Sequence, residues 1–521
     1  MPKSSKKQEE TIAVIGAGTM GAGIALTALF AGHDVILQDT FSDSLANGQL
    51  YIEKFLRKKD QIDRINSCRF TEKLEDLAGA DIVIEAAPED LELKQTLFRQ
   101  LDDICPPPAI LATNTSTLSV TAIASASEHP ERAAGMHFFN PAPVLPLVEV
   151  VRAAQSSKTT VDKLVTLAES WGKSPVLTGD TPGFIVNRVA RPFYGEALRI
   201  VGEGVASHSQ IDDIVEMGAT FRMGPFRLMD LIGIDINAGA MRSMYEQTFG
   251  EPRYKPHWIQ MQKLAAGTLG RKSGLGFYDY SEGAEEQVQE VAATIGKASG
   301  RVMLNSTSWS VGLDELCLAA GYKVEAKPND TQKPLVAIVA SGDLAEVKET
   351  VRRFDMELEA DIPLLVQCAN LPFSEILVGL QYPQRVVGFD GLFLKTSKAL
   401  SLVRGPQTEH KAQQKVENFW ASLGLLSSWI TESPALVLPR IICQLVNEAA
   451  FALQEGVGDA ETIDKAMQLG VNYPKGLIEW GQEIGYAKVL SVLDHLYEEF
   501  HEERYRACIL LRRWARQETR L

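Results

Sequence analysis

Residues 182–233 match residues 434–485 without a gap, at a constant offset of 252. Identical pairs include Pro182/Pro434, Arg188/Arg440, Glu196/Glu448, Glu203/Glu455, Gly204/Gly456, Asp212/Asp464, Gly218/Gly470 and Gly224/Gly476. Chance rarely preserves spacing over so many glycines and acids, so whatever the first segment folds into, the second folds into as well. Residues 184–265 carry apolar residues at helical spacing with few strand-like runs. The repeated unit is therefore expected to be an all-helical domain.

Upstream of the first copy the pattern is different. Apolar runs at 11–15 (TIAVI), 34–39 (DVILQD), 81–85 (DIVIE), 109–113 (AILAT) and 133–138 (AAGMHF) alternate with helical stretches. That alternation means βαβ units and a parallel sheet. Strand-like runs at 334–340 (PLVAIVA) and 362–368 (IPLLVQC) precede the second helical copy and suggest a worn-down second sheet. The expected fold class is an α/β N-terminal Rossmann domain followed by an all-α domain, then a degenerate second α/β domain and a duplicated all-α domain. The boundaries this implies are 1–180, 181–280, a linker at 281–300, 301–427 and 428–521, which suits a 521-residue chain at roughly 100–200 residues per domain.

A net charge of −15 speaks against a nucleic-acid partner, which needs a basic face to displace counterions. The six cysteines are scattered without a CxxC pair, so neither a disulfide scaffold nor a metal site is expected. No stretch approaches 18 uninterrupted apolar residues, and the N-terminal lysines lead into a strand without an apolar signal core. A cytoplasmic protein with no membrane partner is the expectation.

Chemistry enters with Gly16, Gly18 and Gly21, a GxGxxG that directly follows an apolar strand and opens a helix, with Asp39 at the end of the second strand. The first glycine permits the tight turn, the second admits a pyrophosphate to the backbone, and the third lets helix and strand pack closely. Asp39 would accept hydrogen bonds from ribose hydroxyls and repel a 2′-phosphate. No arginine follows it, so NAD is favoured over NADP.

His137 in GMHFFNPAP precedes Glu149 in LVEVV by twelve residues, and Pro141, Pro143 and Pro146 forbid a regular helix between them. The chain can fold back and pair the two, which makes His137 a candidate general base with a carboxylate to fix its tautomer. Alone, such a histidine is more often a core or surface residue. Ser116, just past a strand end in TNTSTLS, is equally an N-cap or a ligand group. Asn187, in PGFIVNR, would alone read as an exposed helix residue.

The segments VIGAGTMGAGIA, IEAAPEDLELK, TNTSTLS, HFFNPAPVLPLVEVV, DTPGFIVNR and GPFRLMDLIG together resemble the 3-hydroxyacyl-CoA dehydrogenase family, in family order over roughly 11–280. Over its whole length the chain resembles the long bacterial members that act on 3-hydroxyadipyl-CoA in phenylacetate breakdown, with relatives acting on 3-hydroxybutyryl-CoA close by. The resemblance implies NAD-dependent oxidation of (S)-3-hydroxyacyl-CoA to 3-oxoacyl-CoA, in fatty acid or phenylacetate degradation. It makes His137 the base, Glu149 its partner, and Ser116, Asn140 and Asn187 the substrate contacts. Gly16, Gly18, Thr19, Met20, Gly21, Asp39, Glu89, Lys94, Ser116 and Asn140 become the NAD contacts.

Departures are Arg227, where the family usually has glutamate, and Phe55 and Ile62, where some relatives hold coenzyme A with serine and lysine. Lys54, Arg57, Lys58 and Lys59 could serve its phosphates, or form a solvated face. Rival readings are a dehydrogenase of free 3-hydroxy acids and a non-enzymatic NAD-binding scaffold. Arginines 188, 191, 222 and 227 suggest a terminal carboxylate on the substrate. The second half is expected to be catalytically silent: Asn187 aligns with Pro439, and an offset of 253 sets Asp390 against His137 and Leu402 against Glu149. The duplicated copy would make the chain a monomer with an internal pseudo-dimer, or else a homodimer.

Overall fold

The computed structural model describes residues 10–282, 298–306, 308–326 and 333–518, so most of the expected linker 281–300 lies outside the described residues. The chain forms two compact units, Met1–Val189 with Ala452–Asn472, and Ala190–Phe451 with Tyr473–Leu521.

The first unit is built on eight strands: β1 Thr11–Ile15, β2 Asp34–Gln38, β3 Cys68–Thr71, β4 Ile82–Glu85, β5 Ile110–Thr113, β6 Ala133–Phe138, β7 Leu147–Arg152 and β8 Ser174–Gly179. Their order is β3-β2-β1-β4-β5-β6-β7-β8. Side chains alternate between faces as the pleat requires. Ile12 and Val14 enter one buried cluster, and Ala13 and Ile15 the other. Helices over both faces are what makes these short runs almost wholly apolar.

The sheet differs from the sequence expectation in two ways. β3, β7 and β8 are additional strands, and β6 pairs with β7 antiparallel. The proline-containing loop between them is too short for a crossover helix, so the chain can only turn back on itself.

The second unit holds a second sheet, formed by β9 Arg301–Ser306, β10 Lys323–Glu325, β11 Val336–Ala340, β12 Leu364–Gln367, β13 Val386–Phe389, β14 Ala399–Arg404 and β15 Leu426–Ile430. Its order is β10-β9-β11-β12-β13-β14-β15, with β13 and β14 antiparallel. The same connectivity recurs except that β3 has no counterpart among the described residues, and among them no helix is long and apolar enough to cross a membrane.

The repeated glycines mark an exchange. In the first unit the helix Ala460–Val471, from the second helical copy, packs on β7, β8 and the short helix Val186–Val189. A Cβ at Gly470 would lie 2.6 Å from Leu147 Cδ2 and 3.1 Å from Val186 Cγ2. In the second unit the equivalent helix of the first copy, His208–Ala219, packs on β14, and a Cβ at Gly218 would lie 2.9 Å from Leu438 Cδ2. Each copy thus lends one helix to the sheet that precedes the other copy.

An arginine–glutamate pair accompanies each exchange: Arg188 with Glu455 at 2.7 Å in the first unit, and Arg440 with Glu203 at 2.6 Å in the second. Arg440 is fully buried and also bonds Glu196 at 2.9 Å and the Tyr505 hydroxyl at 2.7 Å. Such charges survive burial only because every donor finds an acceptor.

Replacing Gly470 with valine should overpack the helix–strand contact and cost about 1–3 kcal/mol. Thermal denaturation should show a lowered Tm, whereas Gly79→Ala, where a Cβ meets nothing within 4 Å, should leave Tm nearly unchanged. Equal Tm values for the two variants would show that the contact does not require glycine.

Candidate active site

The end of β1 is shaped for a ligand. Gly16 takes a φ of +93°, and a Cβ there would come 2.6 Å from the Ala86 carbonyl oxygen. A Cβ at Gly21 would fall 1.7 Å from the Gly16 carbonyl oxygen, so the helix Thr19–Ala31 can rise from the strand only with glycine at that position. Gly18 caps that 13-residue helix without a side-chain bond, and a Cβ there would enter open space. Gly18 and Thr19 are exposed, and Met20 is half-buried against the core. The result is a bare helix N-terminus with free amide groups, the setting that holds a pyrophosphate. Asp39 accepts the Ala17 amide at 2.8 Å on one oxygen and the Phe41 amide at 3.0 Å on the other, which ties the glycine turn to the end of β2.

Beside this turn a chain of charges runs from the buried Glu85 and Lys94 out to the exposed Glu89. Lys94 Nζ donates to Glu85 Oε1 at 2.7 Å and to the Ala87 carbonyl at 3.1 Å, and pairs with Glu89 at 3.4 Å. Glu85 also accepts the Thr113 hydroxyl at 2.6 Å. Glu89 Oε1 gathers the Thr115 hydroxyl at 2.6 Å and the amides of Ser116 and Thr117 at 3.0 and 3.1 Å. Burial pushes the Glu89 carboxyl up, but the Lys94 charge and these hydrogen bonds outweigh it and hold its pKa below the usual range. Lys94, 1% exposed, lies beneath the surface and pairs with Glu89, whose carboxylate bonds the turn that carries Ser116.

His137 and Glu149 face each other directly across the antiparallel β6–β7 pair. His137 Nδ1 and Glu149 Oε2 are 2.7 Å apart. Glu149 Oε1 accepts the amides of Ile185 and Val186, both at 3.0 Å. The turn that delivers those amides needs Gly183 at φ +75° and Phe184 at φ +50°. A carboxylate with no exposed surface accepts from Nδ1–H, which leaves Nε2 as the ring nitrogen that carries the lone pair. The imidazole packs against Phe139 and Phe184, with centroids 4.6 and 5.9 Å away.

Asn114 Oδ1 accepts the Phe138 amide at 2.8 Å, linking the Ser116 loop to the strand of His137. Asn187 Nδ2 reaches the Ser116 carbonyl at 3.3 Å. Asn140 is exposed in the loop after His137. Glu85, Asn114 and the Thr115 hydroxyl were not singled out from sequence; Glu85 lies inside the IEAAPEDLELK segment, yet an acid on a buried strand carries no pattern that names its partner.

The arginines suggested for a substrate carboxylate are mostly engaged elsewhere. Arg188 binds Glu455, Arg191 is buried against Tyr194, and Arg227 bonds Asp213 and Glu216 at 3.2 and 3.1 Å. Arg222 is exposed. Among the basic residues of the helix Ser42–Lys58, Arg57 pairs with Glu53 at 3.4 Å, and Lys58 lies over Phe55.

Residues 11–181 match the family model described as the NAD binding domain of 3-hydroxyacyl-CoA dehydrogenase, and residues 183–280 and 436–519 match its C-terminal domain. The chain is 37% identical over 519 residues to 3-hydroxyadipyl-CoA dehydrogenase of Escherichia coli K12, covering 98% of each chain. It is 40% identical over 280 residues to 3-hydroxybutyryl-CoA dehydrogenase of Clostridioides difficile, covering 52% of this chain and 99% of that one. The crystal structure of a 3-hydroxybutyryl-CoA dehydrogenase from Escherichia coli K12 superposes with a TM-score of 0.82 at 36% identity, covering 98% of this chain and 99% of that one.

Substituting Lys94 with methionine should strand Glu85 without a countercharge and cost about 3–5 kcal/mol, the usual penalty for breaking a buried pair from one side. Calorimetry on Lys94→Met and on the double variant with Glu85→Gln should show the second substitution recovering most of the loss. A double variant less stable than the single one would contradict the pairing.

Proposed function

The chain belongs to the 3-hydroxyacyl-CoA dehydrogenase family, and on that premise we propose that His137 is the base of its NAD-dependent oxidation of (S)-3-hydroxyacyl-CoA, with 3-hydroxyadipyl-CoA the preferred substrate. The observation that carries the assignment is the buried Glu149 carboxylate on Nδ1, which leaves Nε2 as the proton acceptor. The glycine turn, the open space at Gly18 and the bare N-terminus of Thr19–Ala31 fit the pyrophosphate of NAD, and Asp39 fits its adenosine ribose. When bound, NAD supplies the hydride acceptor.

His137 Nε2 takes the proton of the 3-hydroxyl group, and Glu149 stabilises the imidazolium that forms. Ser116 Oγ hydrogen-bonds the same oxygen and holds it in line with Nε2. Asn187 and Asn140 orient the acyl group and the nicotinamide. Glu89 and Lys94 act beneath Ser116, keeping its turn in place.

Preference for a dicarboxylic acyl chain rests on likeness over nearly the whole length to the adipyl enzyme. Of the four arginines first considered, Arg222 is the exposed one. With NADH absorbance as the readout, kcat/KM should be higher for 3-hydroxyadipyl-CoA than for 3-hydroxybutyryl-CoA, and free 3-hydroxy acids should turn over poorly. Equal values for the two thioesters would remove the preference. Faster turnover of the free acids would move the assignment to the rival class.

Among the described residues the second sheet lacks the corresponding groups, which supports one catalytic site per chain. Asp390 takes the place of His137, as the alignment suggests, but the partner strand corrects the other assignment: Ser401, not Leu402, stands opposite, its amide bonding Asp390 Oδ2 at 3.1 Å. Ser401 follows Asp390 by eleven residues where Glu149 follows His137 by twelve, and that single lost residue moves the offset from 253 back to 252. Where the first sheet has its glycine turn, the second has the largely buried Trp309, and a Cβ at Gly342 would come 2.1 Å from Trp309 Nε1. Two residues separate β11 from the cap Asp343, against four between β4 and Asp90, so Glu89 has no counterpart.

The His137→Gln variant should lose kcat by ~10²–10⁴-fold, the usual span for a general base, while calorimetric titration still gives wild-type NAD affinity. That titration should find one NAD per chain. Full activity in the variant would exclude His137 as the base, and two equivalents would restore a site to the second half.

A further inference from the structure

The loop of residues 139–146 (FNPAPVLP) joins the strand that ends beside His137 to the strand that carries Glu149. This loop is thus the covalent link between the two strands that hold these groups. Three of its eight residues are prolines without an amide hydrogen, and within the loop the amides of Val144 and Leu145 both turn to the Pro141 carbonyl, at 2.9 and 3.0 Å. Further carbonyls are held from outside, that of Pro146 by the Ser174 amide at 2.7 Å. Lys173, at the turn between the helix Lys158–Ser170 and β8, directs its ammonium to the carbonyls of Ala142 at 2.5 Å and Leu145 at 2.9 Å. On the opposite side Ala142 and Pro143 lie against Gly23 of the nucleotide-loop helix, where a Cβ would approach them to 3.3 and 3.4 Å.

Among the described residues no carboxylate pairs with this ammonium. The loop carries no charged side chain, and Lys173 forms no ion pair with Glu169 on the preceding helix or with Glu149 on β7; Arg152 on β7 and His33, whose ring meets neighbouring Trp171, supply no negative charge. Burial without a countercharge lowers its pKa to about 8.

The repeat supplies an internal control. At the offset of 252 the position of Lys173 is taken by Leu425, which is packed into the second sheet's core. The loop in that copy, 391–398 (GLFLKTSK), has no proline and connects Asp390 to the strand of Ser401. The lysine is present in the copy that has the histidine–glutamate pair and absent from the copy that has lost it.

We propose that Lys173 is a positioning residue for the reaction: its ammonium clamps the Asn140–Pro146 loop by two carbonyls and so keeps His137 in register with Glu149, and Asn140 at the site. The proposal rests on His137 being the base. The clamp is strongest while the amine is charged, because a charge-assisted hydrogen bond is roughly twice as strong as a neutral one. It should loosen as pH rises through about 8.

The experiment uses the full chain with NAD and a 3-hydroxyacyl-CoA, and His137→Gln as the control for the base. Lys173→Met should lose kcat by roughly 10- to 100-fold, the scale of a misplaced reacting group, with NAD affinity close to wild type. Wild type should lose kcat on the alkaline side of about pH 8, and Lys173→Arg, whose guanidinium stays charged, should keep it there. If Lys173→Met does not fold, the comparison of wild type with Lys173→Arg decides alone. Unchanged kcat in a folded Lys173→Met, no alkaline loss in wild type, or the same loss in Lys173→Arg would each overturn the proposal. An active His137→Gln would instead point to failure of the base assignment.

Discussion

The buried carboxylate of Glu149 is the contact on which the rest of the active half depends. An ionised group with no exposed surface persists only when its lone pairs are taken up. Its three donors come from two different parts of the chain: the imidazole of β6 on one oxygen, and the amides of Ile185 and Val186 on the other. One carboxylate thereby fixes the tautomer of the base, the register of an antiparallel strand pair and the turn that leaves the sheet. Two residues beyond that turn, Arg188 engages Glu455. The same short segment therefore couples the chemistry to the packing of the exchanged helix.

What the sequence made legible was local and obligatory. The glycine turn was readable because Gly16 and Gly21 meet backbone atoms that no side chain would permit, so their spacing follows from covalent geometry alone. His137 and Glu149 were readable because prolines forbade a helix and left an antiparallel return as the way to join them. The helix exchange was not readable. Periodicity states which face of 460–471 is apolar, but not which of two similar sheets it covers. Lys173 was missed for a related reason: a lone lysine bound to carbonyls has no partner residue in the sequence to betray it. The alignment of Glu149 with Leu402 failed over a single deleted loop residue, because strand pairing is sensitive to one step and helical similarity is not.

The two copies show which features are common to both sheets and which are not. Asp390, Ser401, Pro439, Leu425 and Trp309 stand where the first copy has His137, Glu149, Asn187, Lys173 and its glycine turn. Yet Gly470 and Gly218 still admit their helices, and Arg188 and Arg440 still find their glutamates. Overpacking or an unpaired buried charge would destabilise either unit, so these contacts are common to both; the second sheet forms without a counterpart of the His137–Glu149 pair.

The exchanged helix also sets an order on biosynthesis. When residue 189 leaves the ribosome, the NAD-binding sheet has all its own strands, but the face of β7 and β8 that receives Ala460–Val471 is still bare. At translation speeds of about 5–20 residues per second, the missing helix follows on the order of 10–60 s later. For that interval the nascent catalytic half carries an uncovered apolar seam, which invites chaperone binding or a premature grip by the first copy's own helix, His208–Ala219. The chain that emerges first is thus completed last.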